Sequence, residues 1–175
     1  YDIYREAGAD TVFVGHPLLD VVRPSDRSKA ELRHDLGIDE KAKVLLLLPG
    51  SRKQEIAHQL EVMLATAALL NEKVADLSVL LLQASTIEQQ ALAPAIEKLF
   101  PKTRLVQAQG AGVYDMMKLA DVAVATSGTV TLEAALCGLP TVIVYRTSPL
   151  TAWIARRLLR IAHIGLPNIV ADKRI

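Results

Sequence analysis

One cysteine, Cys137, is too few for an intramolecular disulfide and suits a reducing compartment. No charge of one sign dominates: 20 Lys and Arg face 19 Asp and Glu, and that balance argues against nucleic-acid binding. No apolar stretch nears the roughly 18–20 residues of a membrane span, and the longest aliphatic run, residues 44–48, is strand-sized. No Asp-x-Asp metal motif is present. His34, His58 and His163 are scattered without ligand spacing, which argues against a zinc site. No internal repeat or low-complexity tract is present, and no signal peptide is visible in the residues given, which says nothing of a longer N-terminus. The chain opens on Tyr1-Asp2-Ile3-Tyr4 rather than Met and stops at Lys173-Arg174-Ile175, so a piece of a longer protein is expected.

What is present is enough apolar residue, 51% of 175, to build one domain with a full core. Short apolar runs at 11–14, 43–48, 77–82, 104–107, 122–125 and 141–145 are spaced as strands. Between them lie stretches of helical spacing: 29–36, the run marked by Ile56, Leu60, Met63, Leu64, Ala67, Ala68 and Leu70, then 86–100, 113–119, 127–136 and 150–161. The strands run apolar without alternation, as strands buried on both faces do. Strands alternating with helices predict an α/β domain, a Rossmann-like parallel sheet of about six strands with helices on both faces. In such sheets ligands sit beyond the carboxyl ends of the strands, which directs attention to the strand-to-helix turns.

Two turns stand out. In Pro49-Gly50-Ser51-Arg52, Gly50 permits a tight bend, Ser51 is a good N-cap, and Glu55 stands one position beyond capping-box spacing. A helix start offers free N–H groups and partial positive charge, and Arg52 adds a fork of donors suited to phosphate. A capped helix with a surface arginine reads the same residues as well, and local chemistry leaves both open. The missing Gly-Lys-[Ser/Thr] ending excludes a P-loop. In the second turn Ser127, Gly128 and Thr129 bring backbone N–H groups and hydroxyls to a helix start, which suits a pyrophosphate. Glu133, a turn further in, could accept two hydrogen bonds from a ribose diol; a cap followed by a solvated Glu is the plainer alternative. Both turns would open on the same sheet edge.

Taken together, Gly15-His16-Pro17-Leu18, Leu48-Pro49-Gly50-Ser51-Arg52, Ser127-Gly128-Thr129-Val130-Thr131-Leu132-Glu133 and Leu166-Pro167-Asn168-Ile169 resemble the lipid-A-disaccharide synthase family, as does Tyr145-Arg146. Each motif is weak alone; in this order, from about residue 12 to 172, they are specific. The resemblance implies the C-terminal, donor-binding half of a two-domain GT-B glycosyltransferase. It implies inverting transfer from UDP-2,3-diacylglucosamine to 2,3-diacylglucosamine 1-phosphate, giving the β-1,6-linked disaccharide 1-phosphate and UDP. No cofactor and no metal are implied for donor binding. The implied location is cytoplasmic, peripheral on the inner face of the cytoplasmic membrane. A homodimer is one assembly left open.

By the same resemblance, Gly50, Ser51, Arg52, Ser127, Gly128 and Thr129 would hold the diphosphate and Glu133 the ribose. Gln107, Gln109 and Gly110 would lie in the uracil loop, and His16 and Asn168 near the substrate cleft without an assigned step. The family's candidate base lies in an N-terminal domain that the chain lacks, as it lacks the final helices, so the chain is expected to bind donor without turnover. The peptidoglycan N-acetylglucosaminyltransferase and the non-hydrolysing UDP-N-acetylglucosamine 2-epimerase are the nearest alternatives. The first usually has a more Gly-rich first turn and the second Ser-Gly-Gly in place of Ser127-Gly128-Thr129. A solitary nucleotide-binding module is the non-enzymatic alternative.

Trp153, Ile154, Leu158 and Leu159 share the last predicted helix with Arg156, Arg157 and Arg160. A basic helix near lipid headgroups and a docking helix with basic residues in its last turns both fit, and docking is favoured. Cys137 is expected to pack, and Asp115 and Asp121 to be surface or cap residues.

Overall fold

The computed structural model describes residues 2–108, 110–146, 164–171 and 173. Five strands form one parallel sheet: β1 (Lys43–Leu48), β2 (Leu77–Gln83), β3 (Arg104–Gln107), β4 (Val122–Thr126) and β5 (Thr141–Val144), in the order β3-β2-β1-β4-β5. The helices are α1 (Asp2–Glu6), α2 (Leu18–Val21), α3 (Lys29–Asp35), α4 (Lys53–Asn71), α5 (Ala93–Leu99), α6 (Ala111–Leu119), α7 (Thr129–Leu136) and α8 (Leu166–Ala171). A 3-10 turn, Gln89–Ala91, precedes α5, so the helical stretch expected over 86–100 is split, with Pro94 in the first turn of its second piece.

The continuous apolar strands are explained by β1. Leu45 and Leu47 point to one face, where Ile56, Leu60, Met63 and Leu64 of α4 and Ile96 of α5 cover them. Val44, Leu46 and Leu48 point to the other, against Leu32 of α3, Met116, Met117 and Leu119 of α6 and Ala134 of α7. Leu46 and Leu47 are completely buried. Neither face meets water, so neither carries a polar alternation.

Asp121 fixes where β1 begins. Its Oδ2 accepts from Val44 N at 2.8 Å, and Arg33 Nη2 stands 3.8 Å away. Asp115 is 6% exposed, and its carboxylate accepts from both the amide (2.8 Å) and the hydroxyl (2.9 Å) of Ser25, tying α6 to the segment before α3. Asp115, expected at the surface or as a cap, is instead taken inside by a partner 90 residues away in sequence.

Residues 11–14 are not in a strand. Val12 and Val14 are 80% and 85% exposed. Their β-favouring composition had predicted one, but a strand is stable only where a neighbour completes its hydrogen-bonded ladder. The helix expected over 150–161, with Trp153 and its arginines, lies outside the described residues, as do His163 and Gln109.

Candidate functional site

Sheet order fixes the site. The chain winds outward from β1 to β3, then returns to place β4 on the other side of β1, so the turns after β1 and β4 diverge at a topological switch point. A cleft of about 760 Å³ opens there. Gly50, Ser51 and Arg52 line it from the β1–α4 turn, and Thr126 to Val130 from the β4–α7 turn. Gln83 to Ser85 after β2, Ala108 and Gly110 after β3, and Ile164 and Leu166 complete it.

The first turn differs in one respect from its sequence reading. Helix α4 starts at Lys53, so Arg52, not Ser51, is the N-cap, and Glu55 falls at the third helical position. That is capping-box spacing. Glu55 Oε2 accepts from Ser51 N at 2.9 Å and Arg52 N at 3.2 Å, and Oε1 pairs with Arg52 Nη1 at 2.6 Å. Burial alone pushes the Glu55 carboxyl up, but the Ser51 amide and the guanidinium and amide of Arg52 outweigh it and hold it below the usual range. Gly50 is obligatory: its φ of 110° is one L side chains rarely adopt, and a Cβ there would overlap Glu55 Oε2 and lie 2.8 Å from Glu55 Cβ. Ser51 O accepts from Thr86 Oγ1 at 2.6 Å, fastening this turn to the loop after β2.

In the second turn both donors of Ser127 are taken up within the fold, and the amides of Gly128 and Thr129 head α7. Thr131 Oγ1 returns to Gly128 O at 2.7 Å, and Ser127 N donates to Val144 O at 3.0 Å. The Ser127 hydroxyl donates to Ile164 O at 2.7 Å, drawing the segment before α8 against the cleft. Helix α7 begins at Thr129 and points its first turn at the opening.

Of the residues singled out by sequence, Gly50, Ser51, Arg52, Gly110, Ser127, Gly128 and Thr129 line one cleft. Gln107 is not among the lining residues; its amide donates to Gln83 Oε1 at 3.0 Å, and Gln83, which does line the cleft, donates in turn to Ile87 O at 2.6 Å. Gln83 was missed, because a glutamine at a strand end carries no sequence signal. Glu133 sits half-buried on α7, outside the lining, and burial raises its carboxyl above the ordinary value. Its charge adds to burial in raising the Tyr114 phenol and the Cys137 thiol. His16 is exposed near the start of the chain, where its Nδ1 accepts from Leu18 N at 3.2 Å. Asn168 Nδ2 donates to Lys173 O at 3.2 Å at the end of its own helix, while its neighbour Leu166 reaches the cleft. Among the described residues, no group of three or more His, Cys, Asp and Glu is placed to hold a metal ion.

A family model described as lipid-A-disaccharide synthetase matches residues 1–175. Lipid-A-disaccharide synthase of Syntrophus aciditrophicus is 42% identical over 174 residues, and that of Geobacter sulfurreducens 41% over 172. The matches cover 99% and 98% of this chain, whereas the chain spans 44% of the length of each relative. HepE of Anabaena, solved in complex with UDP-glucose, has a TM-score of 0.55 at 18% identity, over 98% of this chain and 50% of its own. UDP-GlcNAc 2-epimerase from Neisseria meningitidis, bound to UDP-GlcNAc, has a TM-score of 0.52 at 17% identity, over 82% of this chain and 39% of its own. Those two likenesses are of fold. The match of the family model from end to end, with relatives above two-fifths identity, shows more: the chain belongs to the lipid-A-disaccharide synthetase family.

Proposed function

We propose that this chain is the donor-binding part of a lipid-A-disaccharide synthase, holding UDP-2,3-diacylglucosamine while its sugar passes to 2,3-diacylglucosamine 1-phosphate. The carrying observation is that the turns after β1 and β4 open into one cleft, large enough for a nucleotide, at the switch point of the sheet. The diphosphate lies between Arg52 and the first turn of α7, with uracil toward Ala108 and Gly110. Glu133 takes the ribose by turning out from α7. By the family resemblance His16 and Asn168 belong near the substrate cleft; neither is among the residues that line it.

As the acceptor hydroxyl attacks the anomeric carbon with inversion and UDP leaves, negative charge grows on the diphosphate. A fixed guanidinium and oriented N–H groups stabilise that growth more than they stabilise bound donor. Because Glu55 already engages the Ser51 and Arg52 amides, the backbone share of this work falls on the α7 turn and the β1–α4 turn contributes the Arg52 side chain. The acceptor's base belongs to the other part of the longer enzyme. The membrane-facing work follows from the acylated substrates: the assembled enzyme meets them at the inner face of the cytoplasmic membrane, and no helix among the described residues is long and apolar enough to cross it.

Calorimetric titration of the chain with UDP, using ADP as control, tests the reading. Saturable UDP binding that Glu133→Gln weakens and ADP does not reproduce is expected. In the assembled enzyme, Arg52→Ala should lower kcat by about 2–4 kcal/mol of transition-state stabilisation, as loss of one oxyanion donor does. A rate loss of less than about threefold, well under 1.4 kcal/mol, would demote Arg52 to a surface residue.

A further inference from the structure

Beside the large cleft lies a second concavity of about 230 Å³. Arg52 and Glu55 line it from the first turn, His58 and Gln59 from α4, and Tyr145 and Arg146 from beyond β5. Arg52 and Glu55 also line the large cleft, so their ion pair is the partition between the two spaces.

The smaller space is built for an anion. Arg52, Arg146 and His58 line it with a single acid, Glu55, and that carboxylate is already engaged by Arg52 Nη1 at 2.6 Å. Its floor is Gln59, only 3% exposed, on a helix whose neighbouring inward positions, Ile56 and Leu60, are apolar core. Gln59 Nε2 donates to Arg146 O at 3.1 Å. A buried amide at a core-facing position contributes less to packing than a leucine would, but it fixes the backbone of Arg146 against α4. The ligand is smaller than a nucleotide, whose pockets run from about 300 Å³ upward. Arginine forks match the oxygens of a phosphate.

We propose that this concavity binds a phosphomonoester, the 1-phosphate of the acceptor sugar, while the donor diphosphate occupies the large cleft. The identity of the acceptor rests on the reading under Proposed function; the anion site rests on the geometry alone. Two anionic substrates brought to one catalytic centre repel each other. Here Arg52, held in place by Glu55, stands between them and offers donors to each side.

Amide NMR of the chain, titrated with glucosamine 1-phosphate and separately with inorganic phosphate, with and without saturating UDP, tests the proposal. Glucosamine 1-phosphate should shift the amides of His58, Gln59 and Arg146 whether or not UDP is bound. Arg146→Gln should weaken that binding about tenfold, the loss of one hydrogen bond to a charged group, and His58→Gln should weaken it in the same direction. Unchanged UDP affinity in both variants shows that they are folded. Displacement of the sugar phosphate by UDP would overturn the second site while leaving the donor reading intact. Inorganic phosphate binding as tightly, with the same shifts, would overturn the sugar-phosphate assignment. No shift at these amides overturns the site altogether. A chain that takes the sugar phosphate here but ignores UDP upholds the anion site and sinks the donor reading instead.

Discussion

Glu55 does two things with one carboxylate: it caps α4 and it holds the guanidinium of Arg52. Glu55→Ala removes both. A lost capping box is worth about 0.3–1.5 kcal/mol, read as a lower urea midpoint at neutral pH. The Glu55 carboxyl titrates below its unfolded value, so its stabilisation is present above about pH 4.3 and lost as pH falls through the native value. The gap between Glu55→Ala and the parent chain should therefore close in acid. Glu133 behaves in the opposite sense. Burial raises its carboxyl, so the folded chain holds that proton more tightly than the unfolded one. Its stabilising influence is complete below about pH 4.3 and declines as pH rises through the raised native value. Glu133→Gln should melt above the parent chain at pH 7 and match it near pH 4; a lower melting temperature at pH 7 would show that Glu133 has a charged partner in the fold.

At the scale of elements, Asp115 is the sharpest case. Its carboxylate satisfies two donors of Ser25 inside the protein, and Asp115→Ala leaves both without that acceptor. A loss of about 1–3 kcal/mol is expected, measured by urea unfolding, while an unchanged midpoint would mean water replaces the bond. Five strands and the turns after β1 and β4 were legible because their signals are local: apolar runs without alternation, a glycine before Ser-Arg, a hydroxyl-rich helix start. What was not legible depends on distant partners. The strand expected at 11–14 has the composition but does not pair into the sheet. Asp115 looked exposed because its neighbours in sequence say nothing of Ser25. The cap of α4 was misjudged by one residue, since Ser51 has the better capping side chain while Glu55 selects Arg52 by spacing. Gln107, placed by resemblance in the uracil loop, donates its amide to Gln83, a partner its sequence neighbours do not announce.

For the whole molecule, the burial of the sheet on both faces and the cleft at its switch point describe a binding unit, and the chain spans 44% of the length of the two relatives named above. The isolated chain should bind UDP without making disaccharide. Product formation by the purified chain, followed with radiolabelled donor, would show that it carries its own base. The pairing that creates the cleft also has a kinetic consequence. Leu45 lies beside Val122 in the sheet, and the clasp from Asp121 to Val44 spans 77 residues. Contacts so far apart close a long loop before they return any energy, and topologies built on them fold slowly. The β1–β2–β3 flank can form early from nearer contacts, leaving β1 with one raw edge until β4 arrives. During that interval the most apolar strand of the described sheet offers unpaired backbone to any neighbour, so the feature that makes the cleft is also where a nascent chain is most exposed to aggregation.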